Sequence, residues 1–417
     1  MTDAITPESW SETLLGSIIE SAVDGPFGSN LKSEHYVDQP GTRVVRLQNI
    51  GISRFLDKDR AYVSSTHAAQ LSRHAVEPGD LLVASLGDDA HPVARACQYP
   101  AAFEPAIVKA DCFRLRLNKN LARHDFVRWL LNSDSARSSL LQRAQGVTRD
   151  RVNLTSLKRV PLRLPSLSEQ QAIAEILDTM DESIHATERL IDKLCTYLVG
   201  LQDFVFSDIY IDRVCGAAEV DKVALANTGR WLSGGTPSTS NPNYWGGPIP
   251  WISAASLCNF YIKRSDRSVT IEGSQEGTRI VPPATVLFVV RGMSLKKEFR
   301  VGVTMRRVAF GQDCKAIIPN RDISAQYLAF ALRSKESEVL RLADEAGHGT
   351  GRLETRLLKR MSLTLPRRQE DQQKLVRIIH DAENRLDTEH GHLTKLYEVK
   401  RGLMADLLMG RVAVKVD

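Results

Sequence analysis

The sequence predicts an α/β (α+β-like) protein built twice over, with two duplicated globular halves each followed by a long helix. Three observations carry that expectation. Residues 164–206 reappear as residues 365–408: Leu164-Pro165 matches Leu365-Pro366 at an offset of 201, and after a one-residue insertion Gln170-Gln171 matches Gln372-Gln373 at 202. Both copies carry a sustained heptad seam. Ahead of each copy lie short alternating apolar runs separated by Gly, Pro, Ser and Asn, the pattern of strands joined by irregular loops.

In the first half, strands are expected at 43–47 and 80–85 and a helix at 122–132; in the second, strands at 286–290 and 301–305 and a helix at 325–332. The duplication extends into these halves: Phe126 to Leu131 aligns with Tyr327 to Leu332, Asp111-Cys112 with Asp313-Cys314, and Gly146 to Arg151 with Gly347 to Arg352. The expected division is 1–165 and 208–366 for the globular domains, 166–207 and 367–410 for the helices, and 411–417 for a tail. Halves of this size can each hold a core.

The first helix places Ile173, Leu177, Met180, Ile184, Thr187, Ile191, Leu194, Leu198, Leu201 and Val205 on one seam. The second places Leu375, Ile379, Ala382, Leu386, Glu389, Leu393, Leu396, Lys400, Leu403 and Leu407 there. A helix of about 38 residues is roughly 57 Å long and cannot bury such a stripe alone, so the other copy is the expected partner. Ser168 with Gln171 is the expected capping box of the first helix, and Glu370 and Asp371 suit the dipole of the second. Gly200 and Gly402 stand at equivalent helix-interior positions, which suggests close backbone approach.

With 42% hydrophobic and 25% charged residues, the chain has the composition of a folded protein. No apolar run is long enough to span a membrane, and Met1 to Trp10 shows no secretory pattern. Six scattered cysteines without metal-ligand spacing fit reduced thiols in a cytoplasm, with Cys195 as a small apolar filler in the first helix. A net charge of +5 permits nucleic-acid binding without requiring it.

Catalytic patterns are missing. Asn241-Pro-Asn-Tyr244 is superficially like the amine-holding motif of amino-methyltransferases, but it lacks the second proline and reads as a turn. Gly347-His-Gly-Thr-Gly351 is not placed as a strand-to-helix phosphate loop, and no Walker A sequence is present. Basic and amide side chains on loops remain. Arg43, Arg46, Gln48 and Asn49 cluster in the first half, as do Arg149 and Arg151; Lys263, Arg264, Arg291, Lys296, Lys297 and Arg300 cluster in the second. Such residues neutralise phosphates or form paired bonds to base edges, so these loops are the expected DNA surface.

Three stretches resemble the specificity (S) subunit of type I restriction–modification systems. They are Lys400-Arg-Gly-Leu-Met-Ala-Asp-Leu-Leu-Met-Gly-Arg-Val412, the Leu-Pro-x-x-Ser-Glu-Gln-Gln helix start at 164–171, and Ser233-Gly-Gly-Thr-Pro-Ser238 followed by Tyr244-Trp-Gly-Gly-Pro-Ile-Pro-Trp-Ile252. The first half departs from the last pattern, with Asp24-Gly-Pro-Phe-Gly-Ser29 instead. The resemblance implies two target-recognition domains, each reading one half of a split sequence in double-stranded DNA, with Ser238 among the contacts. It also implies that the helices form an antiparallel coiled coil, a spacer between half-sites on which two modification (methyltransferase) subunits dock. Its seam residues would be Ile173, Leu177, Ile184, Ile191, Leu194, Leu201, Leu375, Ile379, Leu386, Leu393, Leu396 and Leu403. No cofactor or metal is expected on this chain: S-adenosylmethionine, ATP and Mg2+ would belong to the modification and restriction (motor-nuclease) subunits of a prokaryotic complex in the cytoplasm, nucleoid-associated through DNA. Two other readings fit parts of the sequence: a stand-alone adenine DNA methyltransferase, and a coiled-coil scaffold with two binding heads.

Overall fold

The computed structural model describes residues 10–38, 41–88, 91–142, 150–346 and 350–415. The chain forms two compact units, Met1–Glu188 with Gly391–Asp417, and Arg189–His390. Each contains one globular head and a stretch of both long helices.

In unit 1 the main sheet is antiparallel, in the order Ile19–Asp24, Cys112–Leu117, Leu81–Ala84, Ala96–Gln98. Leu81–Ala84 is buried at every residue, which explains its unbroken apolar sequence. A second sheet orders Tyr36–Val37, Tyr62–Val63, Thr42–Val45, Ala106–Val108 and Ala75–Val76, with one parallel pairing between Thr42–Val45 and Ala106–Val108. Helix His124–Leu131 turns Phe126, Val127, Trp129 and Leu130 into the core.

Unit 2 repeats the scheme. Its main sheet runs Gly229–Ser233, Cys314–Pro319, Val286–Val289, Val301–Thr304, Tyr261–Ile262, so the first three strands stand in the same order as their counterparts in unit 1. Helix Ala325–Arg333 again packs on the sheet through Leu328, Phe330 and Leu332. A smaller sheet orders Ser268–Val269, Trp245–Ile252, Val308–Phe310 and Arg279–Val281, and a third orders Arg291–Gly292, Thr350–Leu353 and Ala343–Ala346. The strands and helices expected at 43–47, 80–85, 122–132, 286–290, 301–305 and 325–332 are all present, with ends shifted by no more than a residue or two.

A short ribbon launches each long helix. Ser11–Leu14 pairs with Pro161–Leu164, and Val220–Ala224 with Ser362–Pro366. The helices follow at Leu167–Val205 and Gln369–Leu407. The capping box of the first is two residues earlier than expected. Ser166 Oγ accepts from the Glu169 N–H at 3.3 Å while the Glu169 carboxylate accepts from the Ser166 N–H at 3.0 Å. Ribbon pairing runs to Leu164, so the chain becomes free to turn into a helix just after Pro165. Gln171 donates along the helix to Glu175 instead.

The helices run antiparallel, and each unit shows it separately. In unit 1, Leu407 and Leu408 share a core with Ile173 and Leu177, while the Tyr397 hydroxyl donates to Glu188 at 2.6 Å. In unit 2, Val205 shares a core with Leu375 and Ile379. Polar seam positions have partners within their own units: Lys400 pairs with Asp181, Arg385 with Glu389, and the Thr187 hydroxyl donates to the Ser183 carbonyl. Two expectations about the helices fail. A Cβ built on Gly200 or Gly402 meets nothing within 4 Å, so close backbone approach is not their reason. Cys195 is exposed rather than a filler. No single helix among the described residues is long and apolar enough to cross a membrane.

Candidate nucleic-acid interface

The first-head cluster divides into scaffold and surface. Arg43 is buried, with its guanidinium 5.2 Å from the Phe55 ring centroid and 5.6 Å from that of Phe103, and it pairs with Asp57. Asn49 is fully buried: its amide donates to the Leu56 and Lys58 carbonyls and its oxygen accepts from the Arg46 N–H. These two residues build the loop and are not available to DNA, a correction to the expected contact set. Arg46 is half-buried, with its guanidinium on the Asp59 carbonyl, and Gln48 is exposed.

Arg151 is exposed, pairs with Asp111 and lies over the Phe27 ring. It sits in a single bridge with Leu86, just past the end of the inner strand Leu81–Ala84. Arg149 lies outside the described residues. Beneath this corner, burial and the nearby Asp111 charge push the Asp24 carboxyl up to about 6.

In the second head, Lys263 and Arg264 are exposed and line a cleft of about 810 Å³ with Tyr261, Arg333, His380 and Glu383. Lys296 and Lys297 are exposed at the short turn Met293–Lys296 and just after it. Arg300 is held internally: it pairs with Glu298 at 2.6 Å and donates to the Ala254 and Ala255 carbonyls at 3.2 Å. Those bonds brace a loop and engage the guanidinium. Ser238 is exposed, its hydroxyl 2.8 Å from that of Ser240.

The loop carrying Ser238 is fixed by two indoles. Trp245 donates to the Ser238 carbonyl and Trp251 to the Gly235 carbonyl, each at 3.1 Å. A Cβ at Gly235 would lie 2.0 Å from the Gly277 carbonyl oxygen, and one at Gly234 would lie 2.2 Å from that of Gly311. Backbone crowding thus accounts for both glycines of the Gly-Gly-Thr-Pro-Ser run. Arg267 stacks on the Trp245 ring at 3.8 Å. Asn241 caps a single turn, Pro242–Tyr244, by accepting from the Asn243 N–H.

The strongest basic grouping includes residues that sequence reasoning passed over. Arg291 and Arg352 face each other in register across antiparallel strands. With Lys315 and Arg356, and with Asp313 and Glu354 as the acidic side chains, they line a cavity of about 590 Å³. Lys315 donates to Ser233 Oγ, and burial together with the Lys359 charge lowers the affinity of its amine for a proton. Arg356 has Glu354 as a partner at 2.9 Å, whereas Arg291 and Arg352 have no acidic partner at ion-pair distance among the described residues. The repeat held the missing signal. Arg352 stands in the alignment opposite Arg151, and the Arg291–Arg352 pairing is the counterpart of the Leu86–Arg151 bridge. Among the described residues, no group of three or more His, Cys, Asp or Glu is placed to hold a metal ion.

A sequence profile described as the type I restriction modification DNA specificity domain matches residues 94–195 and 219–398. The chain belongs to this family. The two matches cover both repeats, including most of each long helix. A specificity subunit of the EcoR124I/EcoR124II type I restriction enzyme from Escherichia coli is 27% identical over 236 residues, 54% of this chain and 55% of that protein. The MjaIX specificity subunit of Methanocaldococcus jannaschii is 31% identical over 38% of this chain and 37% of its own length. This chain therefore aligns with about half or less of the length of either relative. Solved structures share the fold along nearly the whole chain. The HsdS subunit of Thermoanaerobacter tengcongensis superposes with a TM-score of 0.56 at 16% identity, covering 99% of this chain and 100% of that one. A chain from a study of complex assembly and conformational transition of the type I R-M system gives 0.65 at 16% identity, covering 98% and 99%.

Proposed function

We propose that this chain is the DNA-specificity subunit of a type I restriction–modification complex, and that it reads a bipartite target without itself catalysing a reaction. One observation carries this reading: two heads share a sheet order and a helix start but present different side chains at equivalent surface positions. Leu86 beside Arg151 in the first head corresponds to Arg291 beside Arg352 in the second. Different readers on a repeated frame suit two different half-sites.

Residues 1–165 and 208–366 are the target-recognition domains, and 166–207 and 367–410 the spacer helices. In the second head the DNA backbone is gripped at Arg291, Lys315 and Arg352, with Lys263, Arg264, Ser238, Lys296 and Lys297 as further contacts. In the first head Arg46, Gln48 and Arg151 are the contacts. The guanidinia of Arg291 and Arg352, with no acidic partner at ion-pair distance among the described residues, are suited to phosphate oxygens, which supply most of the affinity and its salt dependence. Two modification subunits dock on the helices, whose seam holds Ile184, Ile191, Leu194, Leu201, Leu386, Leu393, Leu396 and Leu403. Those partners bring S-adenosylmethionine, and restriction subunits bring ATP and Mg2+.

The test is a head exchange. When residues 1–165 are replaced by the corresponding head of a relative, the assembled complex should methylate a sequence altered in one half only. Methyl transfer by the isolated chain, abolished by Asn241→Ala, would favour a stand-alone methyltransferase instead.

A further inference from the structure

The paired glutamines that open each long helix have a physical explanation. Gln170 and Gln372 are both fully buried. In unit 1 the Gln170 oxygen accepts from the Arg123 N–H at 2.9 Å, and its amide donates to the carbonyls of Leu121 at 3.2 Å and Pro165 at 2.9 Å. In unit 2 the Gln372 oxygen accepts from the Ser324 N–H at 2.7 Å, and its amide donates to the carbonyls of Asp322 at 3.0 Å and Pro366 at 2.9 Å. Arg123 and Ser324 are the N-cap residues of the head helices His124–Leu131 and Ala325–Arg333. Each glutamine therefore ties the start of a head helix to the chain that launches the long helix. The amide orientation is dictated, since a flip would set the NH2 group against an N–H donor.

Two features separate this from ordinary packing. Five residues run from Pro165 to Gln170 but six from Pro366 to Gln372, yet the same three bonds form. What the two copies keep is the joint, not the local chain length. The neighbouring contacts, by contrast, are rebuilt between copies. Asp178 accepts from Arg128 and Trp129 in unit 1, whereas in unit 2 Arg333 donates to Gln202 and Glu383.

We propose that Gln170 and Gln372 are positioning residues that lock each head at a fixed angle to its spacer helix, and so set the number of base pairs allowed between the two half-sites. This rests on the bipartite-target reading. A loosened joint lets a head swing, and a swing at the head admits half-sites that a rigid joint rejects. The glutamines touch no DNA, so the sequence read within each half-site stays the same.

The experiment uses the full chain assembled with its modification subunits, and DNA carrying its two half-sites with the native spacer or one base pair more or less. Wild-type complex should methylate the native spacing preferentially; a wild-type complex indifferent to spacing would refute the bipartite reading itself. Gln170→Met and Gln372→Met should lower the ratio of native to altered spacing roughly tenfold, while half-site preferences are kept. Should the methionine variants not assemble, Gln170→Asn and Gln372→Asn, which keep the amide but withdraw it by one methylene, carry the same expectation. Exposed Gln373→Met, at the equivalent position of the second helix, serves as control and should leave spacing selectivity unchanged. Spacing discrimination equal to wild type in assembled variants would overturn the proposal. So would rapid hydrogen exchange at the Arg123 and Ser324 amides of the unaltered chain, because a locked joint protects both.

Discussion

Replacing Arg291 and Arg352 together by alanine separates binding from stability, because these guanidinia stand opposite each other in register with no acidic partner at ion-pair distance among the described residues. Cross-strand neighbours of like charge repel, so removal should leave the head as stable or slightly more so. If each guanidinium holds one phosphate, each loss reduces the slope of log affinity against log salt by about 0.9, and the pair by about 1.8. Over a fourfold change in salt that difference amounts to roughly tenfold in affinity. The assay is fluorescence anisotropy of the assembled complex on its target DNA across a salt series, beside urea unfolding of the same variant. An unchanged salt slope would refute the assignment of this surface, and a large loss of stability would show that the pair serves the fold instead.

Other substitutions test the parts around it. Arg43→Ala should lower stability by about 2 kcal/mol, because a paired guanidinium packed beside both Phe55 and Phe103 is lost; a normal urea midpoint with weakened DNA binding would return Arg43 to the interface. Asp24 titrates near 6 in the fold against 3.8 otherwise, so the folded state binds the extra proton, and its stability declines as pH rises from about 4 to 6. Asp24→Asn should therefore stabilise by about 1 kcal/mol above pH 7, allowing for solvent screening, and give no gain below about pH 4; equal effects at both pH values would contradict the burial argument. Gly200→Ala and Gly402→Ala should each raise stability by up to about 1 kcal/mol, since a Cβ at either position meets nothing; a loss in thermal unfolding would reveal a backbone contact after all.

The long helices were legible because a seam repeated over many turns is a local signal, and the repeat doubled it. Buried strands such as Leu81–Ala84 and Val286–Val289 were legible for the same reason. The capping box was misplaced because Ser166 with Glu169 and Ser168 with Gln171 have the same spacing. What selects the first is the pairing of Leu164 with Ser11, some 150 residues away in sequence. Arg43 looked like a surface residue because Phe103, one of the rings that covers it, is distant in the chain. The glutamine pair was visible as a match between copies, but its role depends on carbonyls at 121 and 322 that no spacing rule connects to it. Arg352 was within reach, since the alignment that exposed Arg151 also contained it.

On the proposed function, this chain selects a two-part DNA address for partners that modify it. Adenine methylation mapped by single-molecule sequencing in a host with an active system, with and without the gene, tests that most directly. The expected result is one methylated motif of two short sequences separated by a fixed unspecified spacer, lost when the gene is removed. A methylation pattern unchanged by its removal would contradict it.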